Sequence, residues 1–263
     1  MNRMKLFYCL LFSLVVWNMN AQKPLGKRLF VLLGQSNMAG RAPIEGKDTL
    51  PLRMVKLLND EGLFVLAENP LNRYSTIRKD LSAQKLSLGY AFAKELSEFF
   101  YKDTIYLIVN ARGGMSIEEF LKGNPSHYYE KTFQRIHQAL KSDPDLKLAA
   151  ILWHQGESNT GNYSQYIDCL KSLVDSLRTD LGDRNVLFVA GGIGEWVSNS
   201  RGISDVISQI PQYIPRSKVV SSHGLTHIGD LLHFDRNSQH ALGKRYAEAV
   251  MEDERLRVSS FTK

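Results

Sequence analysis

The chain alternates between short apolar runs and longer segments with helical periodicity. Runs bounded by glycine or polar residues predict buried strands, and they fall at 28–33, 104–109, 148–153, 186–190 and 219–220. In the segments between them, apolar residues recur at intervals of three and four. This spacing predicts helices at 88–102, 128–140, 163–181, 203–210 and 237–251. Because strands and helices alternate, the sequence predicts an α/β fold with a parallel sheet of five strands.

Residues 41–85 do not follow this alternation. Apolar runs at 54–58 and 63–66 flank Asn-Asp-Glu-Gly, which is a hairpin signal with glycine at the turn. We interpret this hairpin as an excursion from the main sheet. The polar segment 69–84 is expected to form a loop at the rim of a site.

The first 21 residues predict a signal peptide. Arg3 and Lys5 precede an apolar stretch at 6–17, which is too short to span a bilayer, and Ala21 offers a cleavage point. The expected location is therefore periplasmic or extracellular, and a retained N-terminal anchor is the alternative. Residues 22–263 have the size of one domain with a full hydrophobic core.

Composition and charge exclude several classes of protein. Hydrophobic residues make up 43% and charged residues 23% of the chain, which is typical of a globular protein. Loss of the signal peptide lowers the formal charge from +6 to +4, and no basic block indicates nucleic-acid binding. Only Cys169 then remains, so no internal disulfide is expected, and it fits a buried position better than a nucleophile. No Cys/His cluster has metal-ligand spacing, and no second stretch could insert stably in a membrane.

Four clusters of polar residues follow predicted strands. The carboxyl ends of strands are where open α/β folds place their ligand crevice. The first strand runs into Gly-Gln-Ser-Asn-Met-Ala-Gly at 34–40. The flanking glycines allow a sharp turn and close approach of a ligand, so Ser36 is a candidate nucleophile. A serine here could equally cap the next helix.

A serine nucleophile needs a base within hydrogen-bond reach. His233 is the best candidate, because Asp230 lies three residues earlier and could orient its imidazole. A surface histidine beside the last helix is the plainer alternative. His154, His223 and His227 are rival bases.

Acyl transfer also needs donors to the developing oxyanion. The candidates are the Ser36 amide, an amide of Gly113 or Gly114, and the Gln155 side chain. Asn37 and Glu157 are expected to support the site, Glu157 by holding loops together.

Taken together, these motifs resemble the SGNH hydrolases. They are most similar to the sialate O-acetylesterase and acetylxylan esterase group of carbohydrate esterases. The motifs that carry the resemblance are Gly-Gln-Ser-Asn-Met-Ala-Gly at 34–40, Gly-Gly at 113–114, His-Gln-Gly-Glu-Ser at 154–158 and Asp-Leu-Leu-His-Phe at 230–234.

This resemblance implies a flavodoxin-like three-layer α/β/α fold. It implies a serine esterase that removes acetyl groups from sugars without a cofactor, with Ser36 as nucleophile, His233 as base and Asp230 as orienter. It also implies oxyanion donors from Ser36, one of the two glycines, and Gln155. The expected substrate is an acetylated carbohydrate of the sialic acid or xylan type.

Three other functional classes compete with this interpretation. The order Ser-Asp-His fits an α/β-hydrolase, but Met38 replaces the second glycine of that motif and Ser36 lies on the first strand. A non-catalytic module could hold a sugar on aromatic residues such as Trp153 and Trp196. A lipase or thioesterase on the same fold would need a long acyl pocket.

Overall fold

The computed structural model describes residues 26–253 and 255–256. The predicted signal peptide, its cleavage point and the alternative of an anchor lie outside the described residues. Within the described range, no helix combines the length and apolar character needed to cross a bilayer.

A single twisted sheet forms the centre of the fold. Its strands are β1 (Lys27–Gly34), β2 (Leu52–Leu58), β3 (Phe64–Ala67), β4 (Thr104–Ala111), β5 (Leu146–His154), β6 (Leu187–Gly191) and β7 (Ser217–Val220). Their spatial order is β3-β2-β4-β1-β5-β6-β7.

The five strands that the apolar runs predict are all present and pair in parallel. They are β1, β4, β5, β6 and β7, and neighbours among them run in the same direction. Counted along the chain, their order in the sheet is 2-1-3-4-5, which is the flavodoxin order. The predicted fold class is therefore confirmed.

The predicted number of strands and the interpretation of the hairpin are wrong. The sheet has seven strands, because β2 pairs in parallel with β4 and β3 pairs antiparallel with β2. Val55 and Leu57 of β2 are buried beside the β4 strand, so this segment extends the sheet instead of leaving it. The two strands do form a hairpin, as the local sequence predicts. The hairpin sequence alone could not indicate that β2 would also pair with β4 along its other edge.

Seven α-helices and four short 3-10 turns lie among the described residues. The helices are α1 (Ser36–Ala39), α2 (Leu88–Phe99), α3 (Tyr128–Ser142), α4 (Tyr166–Asp180), α5 (Ser200–Ser208), α6 (Ile210–Tyr213) and α7 (Arg236–Met251). The 3-10 turns are Gly46–Thr49, Leu71–Tyr74, Glu118–Phe120 and Glu157–Asn159.

The helices cover both faces of the sheet, because successive strand residues point to opposite sides. In β1, Phe30 and Leu32 pack into the core that α2 and α7 cover. Leu29, Val31 and Leu33 pack into the core on the other face, which α3, α4, α5 and α6 cover. This arrangement makes the fold a three-layer α/β/α sandwich.

Candidate active site

Three neighbouring strands end at the same level of the sheet. Gly34 at the end of β1 is in register with Ala111 of β4 on one side and with His154 of β5 on the other. The residues that follow these strands must therefore meet at one edge. The order of the strands reverses at β1, and this is where flavodoxin-like sheets open their ligand crevice.

The turn after β1 places Ser36 in that crevice. Gly34 has φ +140°, and a Cβ there would lie 2.1 Å from the carbonyl oxygen of His154, so only glycine fits. The Gln35 amide donates to the same carbonyl over 2.9 Å. Ser36 then begins α1 and lines the cleft, although only 4% of the residue is exposed.

The loop between β7 and α7 brings Asp230 to His233. Oδ2 of Asp230 lies 2.6 Å from Nδ1 of His233. Oδ1 of Asp230 accepts hydrogen bonds from the backbone amides of Leu232 and His233 at 3.0 and 2.8 Å. Both carboxylate oxygens of Asp230 therefore hold this loop in place through hydrogen bonds. His233 lines the same cleft as Ser36.

The hydrogen bonds that Asp230 accepts favour its ionised form. Partial burial raises its pKa, but hydrogen bonds from the backbone and side chain of His233 and from the Leu232 amide outweigh this effect. The net pKa of Asp230 lies below its ordinary value. An ionised Asp230 that accepts from Nδ1–H leaves Nε2 of His233 free to accept a proton.

Asn37 connects the serine turn to the histidine loop. Its Oδ1 accepts from the Phe234 amide at 3.1 Å, and its Nδ2 donates to the Leu232 carbonyl at 3.3 Å. Nδ2 also donates to Oε1 of Glu157 at 2.5 Å. Asn37 is fully buried, so these bonds fix the two segments relative to each other.

Glu157 lies behind the serine turn, where it acts as the partner of Asn37. Burial raises its pKa, against the opposing effect of the Asn37 hydrogen bond. Its position agrees with the supporting role that the sequence suggests.

Gly113 lies closer to the serine than Gly114 does. A Cβ built on Gly113 would lie 3.6 Å from Cβ of Ser36, whereas Gly114 has Nζ of Lys79 as its nearest neighbour, at 3.8 Å. The Ser36 amide belongs to the first turn of α1 and has no intrahelical acceptor. Two backbone donors, at Ser36 and Gly113, thus flank the cleft.

The Gln155 side chain is directed away from the cleft. It is fully buried, and its Nε2 donates to the Met115 carbonyl at 3.1 Å and to Oδ1 of Asn159 at 2.7 Å. Both amide hydrogens are thus occupied in this arrangement. An oxyanion role for Gln155 stays a prediction that this geometry does not favour.

The rival histidines have other partners. His154 is fully buried, and burial lowers its pKa to about 3. His223 is exposed, and its Nδ1 contacts Oε1 of Glu195 at 3.0 Å. His227 accepts from the amides of Gly229 and Leu231 through Nδ1, which helps to fold the loop that carries His233.

The cleft is open and has a volume of about 390 Å³. The residues that line it are Gln35, Ser36, Arg41, Lys79, Asp80, Ala83, Gly113, Gly114, Glu157, Ser158, Leu232 and His233. Arg41 and Lys79 were not among the site residues predicted from the sequence motifs. Arg41 directly follows the serine motif and Lys79 lies in the predicted rim loop, which are the only signals that could have found them.

No group of three or more His, Cys, Asp or Glu side chains is placed to hold a metal ion within residues 26–253 and 255–256. The two carboxylates in the cleft lining have hydrogen-bond donors as partners: Asp80 accepts from Ser82, and Glu157 accepts from Asn37.

Comparisons with known proteins identify a relative with the same fold. The chain is 29% identical over 245 residues to a probable carbohydrate esterase of Arabidopsis thaliana, a match covering 86% of this chain and 91% of that protein. The crystal structure of that Arabidopsis protein superposes with a TM-score of 0.78, at 23% identity over 87% of this chain and 99% of the other.

Two further structures share the fold. A crystal structure of NanS gives a TM-score of 0.69 at 14% identity, covering 89% of this chain and 99% of that one. Axe2, an acetylxylan esterase from Geobacillus stearothermophilus, gives 0.51 at 12% identity, covering 88% of this chain and 97% of that one.

The family match covers nearly all of the described chain. Residues 26–252 match the family described as carbohydrate esterase, sialic acid-specific acetylesterase. This match confirms the resemblance to SGNH carbohydrate esterases drawn from the motifs. The chain therefore belongs to the sialic acid-specific acetylesterase family of carbohydrate esterases, and it is a carboxylic ester hydrolase.

Proposed function

We propose that this esterase removes O-acetyl groups from carbohydrates through Ser36, His233 and Asp230. The single observation that carries the proposal is the shared cleft of Ser36 and His233, with Asp230 2.6 Å from the far nitrogen of the imidazole. These are the three groups that a serine esterase requires, and the nucleophile and the base line one cleft.

The first half of the reaction transfers the acetyl group to the enzyme. Nε2 of His233 accepts the hydroxyl proton of Ser36 as Oγ attacks the acetyl carbonyl carbon. The carbonyl oxygen becomes an oxyanion, which the amides of Ser36 and Gly113 stabilise. His233 then gives the proton to the sugar oxygen, the C–O bond breaks, and an acetyl-Ser36 ester remains.

The second half returns the enzyme to its starting state. His233 takes a proton from water, whose oxygen attacks the acetyl-Ser36 ester. When this second oxyanion collapses, the bond between the acyl carbon and Oγ of Ser36 breaks, and His233 gives its proton to Oγ. Acetic acid leaves and loses its remaining proton to water. Asp230 stays ionised throughout and stabilises the imidazolium that forms in each half.

The cleft lining supports a short acyl group and a polar alcohol. Only Ala83 and Leu232 supply aliphatic side chains to its wall. The cleft is open to solvent and does not enclose a long acyl chain, so this geometry favours acetyl esters over lipid-type esters. The exported location stays a prediction from the N-terminal sequence.

Changing Ser36 to alanine tests the proposed function. We expect acetate release from acetylated xylan and from O-acetylated sialic acid to fall by about a thousandfold or more, because the attacking oxygen is lost. Far-UV circular dichroism and thermal unfolding would confirm that the variant is folded.

Ser208→Ala is the matched control. Ser208 is exposed at the end of α5, outside the cleft, so this variant should keep the activity of the unmodified enzyme. Full activity in the folded Ser36→Ala variant would overturn the proposed mechanism.

A further inference from the structure

A guanidinium group forms part of the cleft wall beside the proposed nucleophile. Arg41 lines the same cleft as Ser36 and is half-buried. Its Nη1 donates to the carbonyl oxygens of Gly40 and Ala83, at 2.7 and 3.0 Å. Both hydrogens of Nη1 are therefore used, and they hold the side chain between the end of the serine turn and the loop that carries Ala83.

The absence of a side chain at Gly113 leaves room for this guanidinium. A Cβ built on Gly113 would lie 2.5 Å from Nη2 of Arg41, which is too close unless the guanidinium moves. Gly113 does not have the positive φ that favours glycine at other positions, such as Gly114. The contact with Arg41, and not the backbone conformation, is therefore what requires glycine at position 113.

The same space lies next to the nucleophile. The Cβ position on Gly113 is 3.6 Å from Cβ of Ser36. Nη2 of Arg41 and the Ser36 side chain thus border one small space beside Gly113, whose amide is one of the two proposed backbone donors to the oxyanion. An acetyl carbonyl that Oγ of Ser36 attacks would bring its oxygen to this space.

The part of the guanidinium near Gly113 has unused hydrogen-bond donors. Among the described residues, Nη2 and Nε of Arg41 donate no hydrogen bond, and Arg41 forms no ion pair. The two carboxylates of the cleft lining, Asp80 and Glu157, accept hydrogen bonds from neutral side chains. Arg41 therefore presents a positive charge and free N–H groups to the cleft.

Partial burial makes this cation effective on a nearby negative charge. Burial lowers the pKa of Arg41, because the charge loses contact with water. A guanidinium still keeps its proton at neutral pH. Next to Ser36, which is 4% exposed, a fixed cation acts on a developing negative charge with less screening than in water.

We propose that Arg41 is a further catalytic residue, whose Nη2 donates a hydrogen bond to the oxyanion that forms when Ser36 attacks the acetyl ester. The inference rests on the proposed function and adds a third, charged donor to the amides of Ser36 and Gly113. No proton leaves the guanidinium, so the proton transfers between Ser36 and His233 are unchanged. Arg41 takes the place in the oxyanion site that the side chain of Gln155, directed away from the cleft, does not occupy.

A role in binding the sugar would make a different prediction. If Arg41 only bound the sugar, its removal would leave the hydrolysis of an acetyl ester without a sugar unchanged. If Arg41 stabilises the oxyanion, its removal slows every acetyl ester to the same extent, because the oxyanion forms in each of them. An ester without a sugar therefore separates the two roles.

The experiment measures kcat and kcat/KM for p-nitrophenyl acetate, acetylated xylan and O-acetylated sialic acid. Arg41→Gln removes the charge and the free donors. Gly113→Ala keeps the amide of residue 113 but places a methyl group against Nη2, so it displaces the guanidinium. Lys79→Gln is the matched control, because it removes an equal charge from the same cleft lining, near Gly114.

We expect Arg41→Gln to lower kcat and kcat/KM equally, by about a hundredfold on every ester hydrolysed, as when one oxyanion donor is removed. Gly113→Ala should cause a loss of the same order, and almost no further loss when added to Arg41→Gln, because the group it displaces is then absent. Lys79→Gln should lower kcat by less than about threefold. Gly113→Ala leaves the Arg41 side chain in the protein, so it tests the inference even if Arg41→Gln folds poorly.

Three results would overturn the catalytic role of Arg41 while leaving the proposed function intact. They are a loss confined to the acetylated sugars, losses that multiply in the double variant, and an equal loss in Lys79→Gln. Hydrolysis of p-nitrophenyl acetate at the unmodified rate by folded Ser36→Ala would instead overturn the proposed function and this inference with it.

Discussion

His154 shows how one buried side chain supports the site without taking part in the chemistry. Its backbone carbonyl accepts the Gln35 amide, and its Nδ1 lies 3.2 Å from the Tyr246 hydroxyl. That hydroxyl donates to the Trp153 carbonyl, so it accepts from Nδ1–H of His154. Oε1 of Glu157 lies 3.8 Å from Nε2, and burial raises the pKa of that carboxyl. The imidazole is therefore a neutral structural group.

This burial predicts a loss of stability at mildly acidic pH. Burial lowers the pKa of His154 to about 3, whereas in the unfolded chain it returns to its ordinary value of about 6.5. Below that value the unfolded chain binds more protons than the folded protein, so stability falls as the pH falls. By pH 5 the loss from this group is about 2 kcal/mol.

A His154→Gln variant isolates this contribution. The replacement does not titrate, so the difference in the free energy of unfolding between the two proteins should narrow by about 2 kcal/mol between pH 7.5 and pH 5. Urea unfolding at the two pH values measures it. A difference that stays constant would show that His154 is accessible to protons in the folded protein.

At the scale of the element, the site depends on where β1 ends. The strand runs between β4 and β5 in register, so its last residue meets backbone on both sides. Gly34 is the position where this close contact requires glycine, and it determines the direction in which Ser36 leaves the sheet. A change there should disturb fold and activity together.

Gly34→Ala is the corresponding test. The added Cβ would overlap the His154 carbonyl, which cannot move without breaking the central sheet, so we expect a loss of about 3 kcal/mol or more in stability. Gly46→Ala is the control: Gly46 has φ +51°, but a Cβ there meets nothing within 4 Å, so it should lose only about 1 kcal/mol. Equal losses in urea unfolding would contradict this account of the strand end.

Local sequence patterns predict which segments form strands, but they do not predict how every strand pairs. The runs that form β1, β4 and β5 are almost continuously apolar, because both faces of these strands are buried. This made them easy to predict. The run at 54–58 was predicted only as one arm of a hairpin outside the sheet. The pairing of β2 with β4 depends on residues far along the chain, such as Ile105 opposite Val55.

For the whole molecule, the sequence predicted which segments would meet but not every contact between them. Strand ends that lie at one edge follow from the parallel topology, so Ser36, Gly113 and the 154–157 segment were expected there. The orientation of Gln155 was not predictable, because it depends on Met115 and Asn159, which come from other segments. The position of Arg41 in the cleft could not be predicted for the same reason. Its side chain bonds to the carbonyl of Ala83, which lies in a loop whose sequence has no helical or strand periodicity.

The most direct test of the central claim is covalent labelling with a fluorophosphonate, read by intact mass and peptide mapping. We predict one adduct, located on Ser36 and absent from Ser36→Ala, because this hydroxyl shares a cleft with a base held by a carboxylate. His233→Ala should slow labelling by about a hundredfold or more, and His223→Ala should leave its rate unchanged. An adduct on another serine, or labelling of His233→Ala at the unmodified rate, would contradict the account.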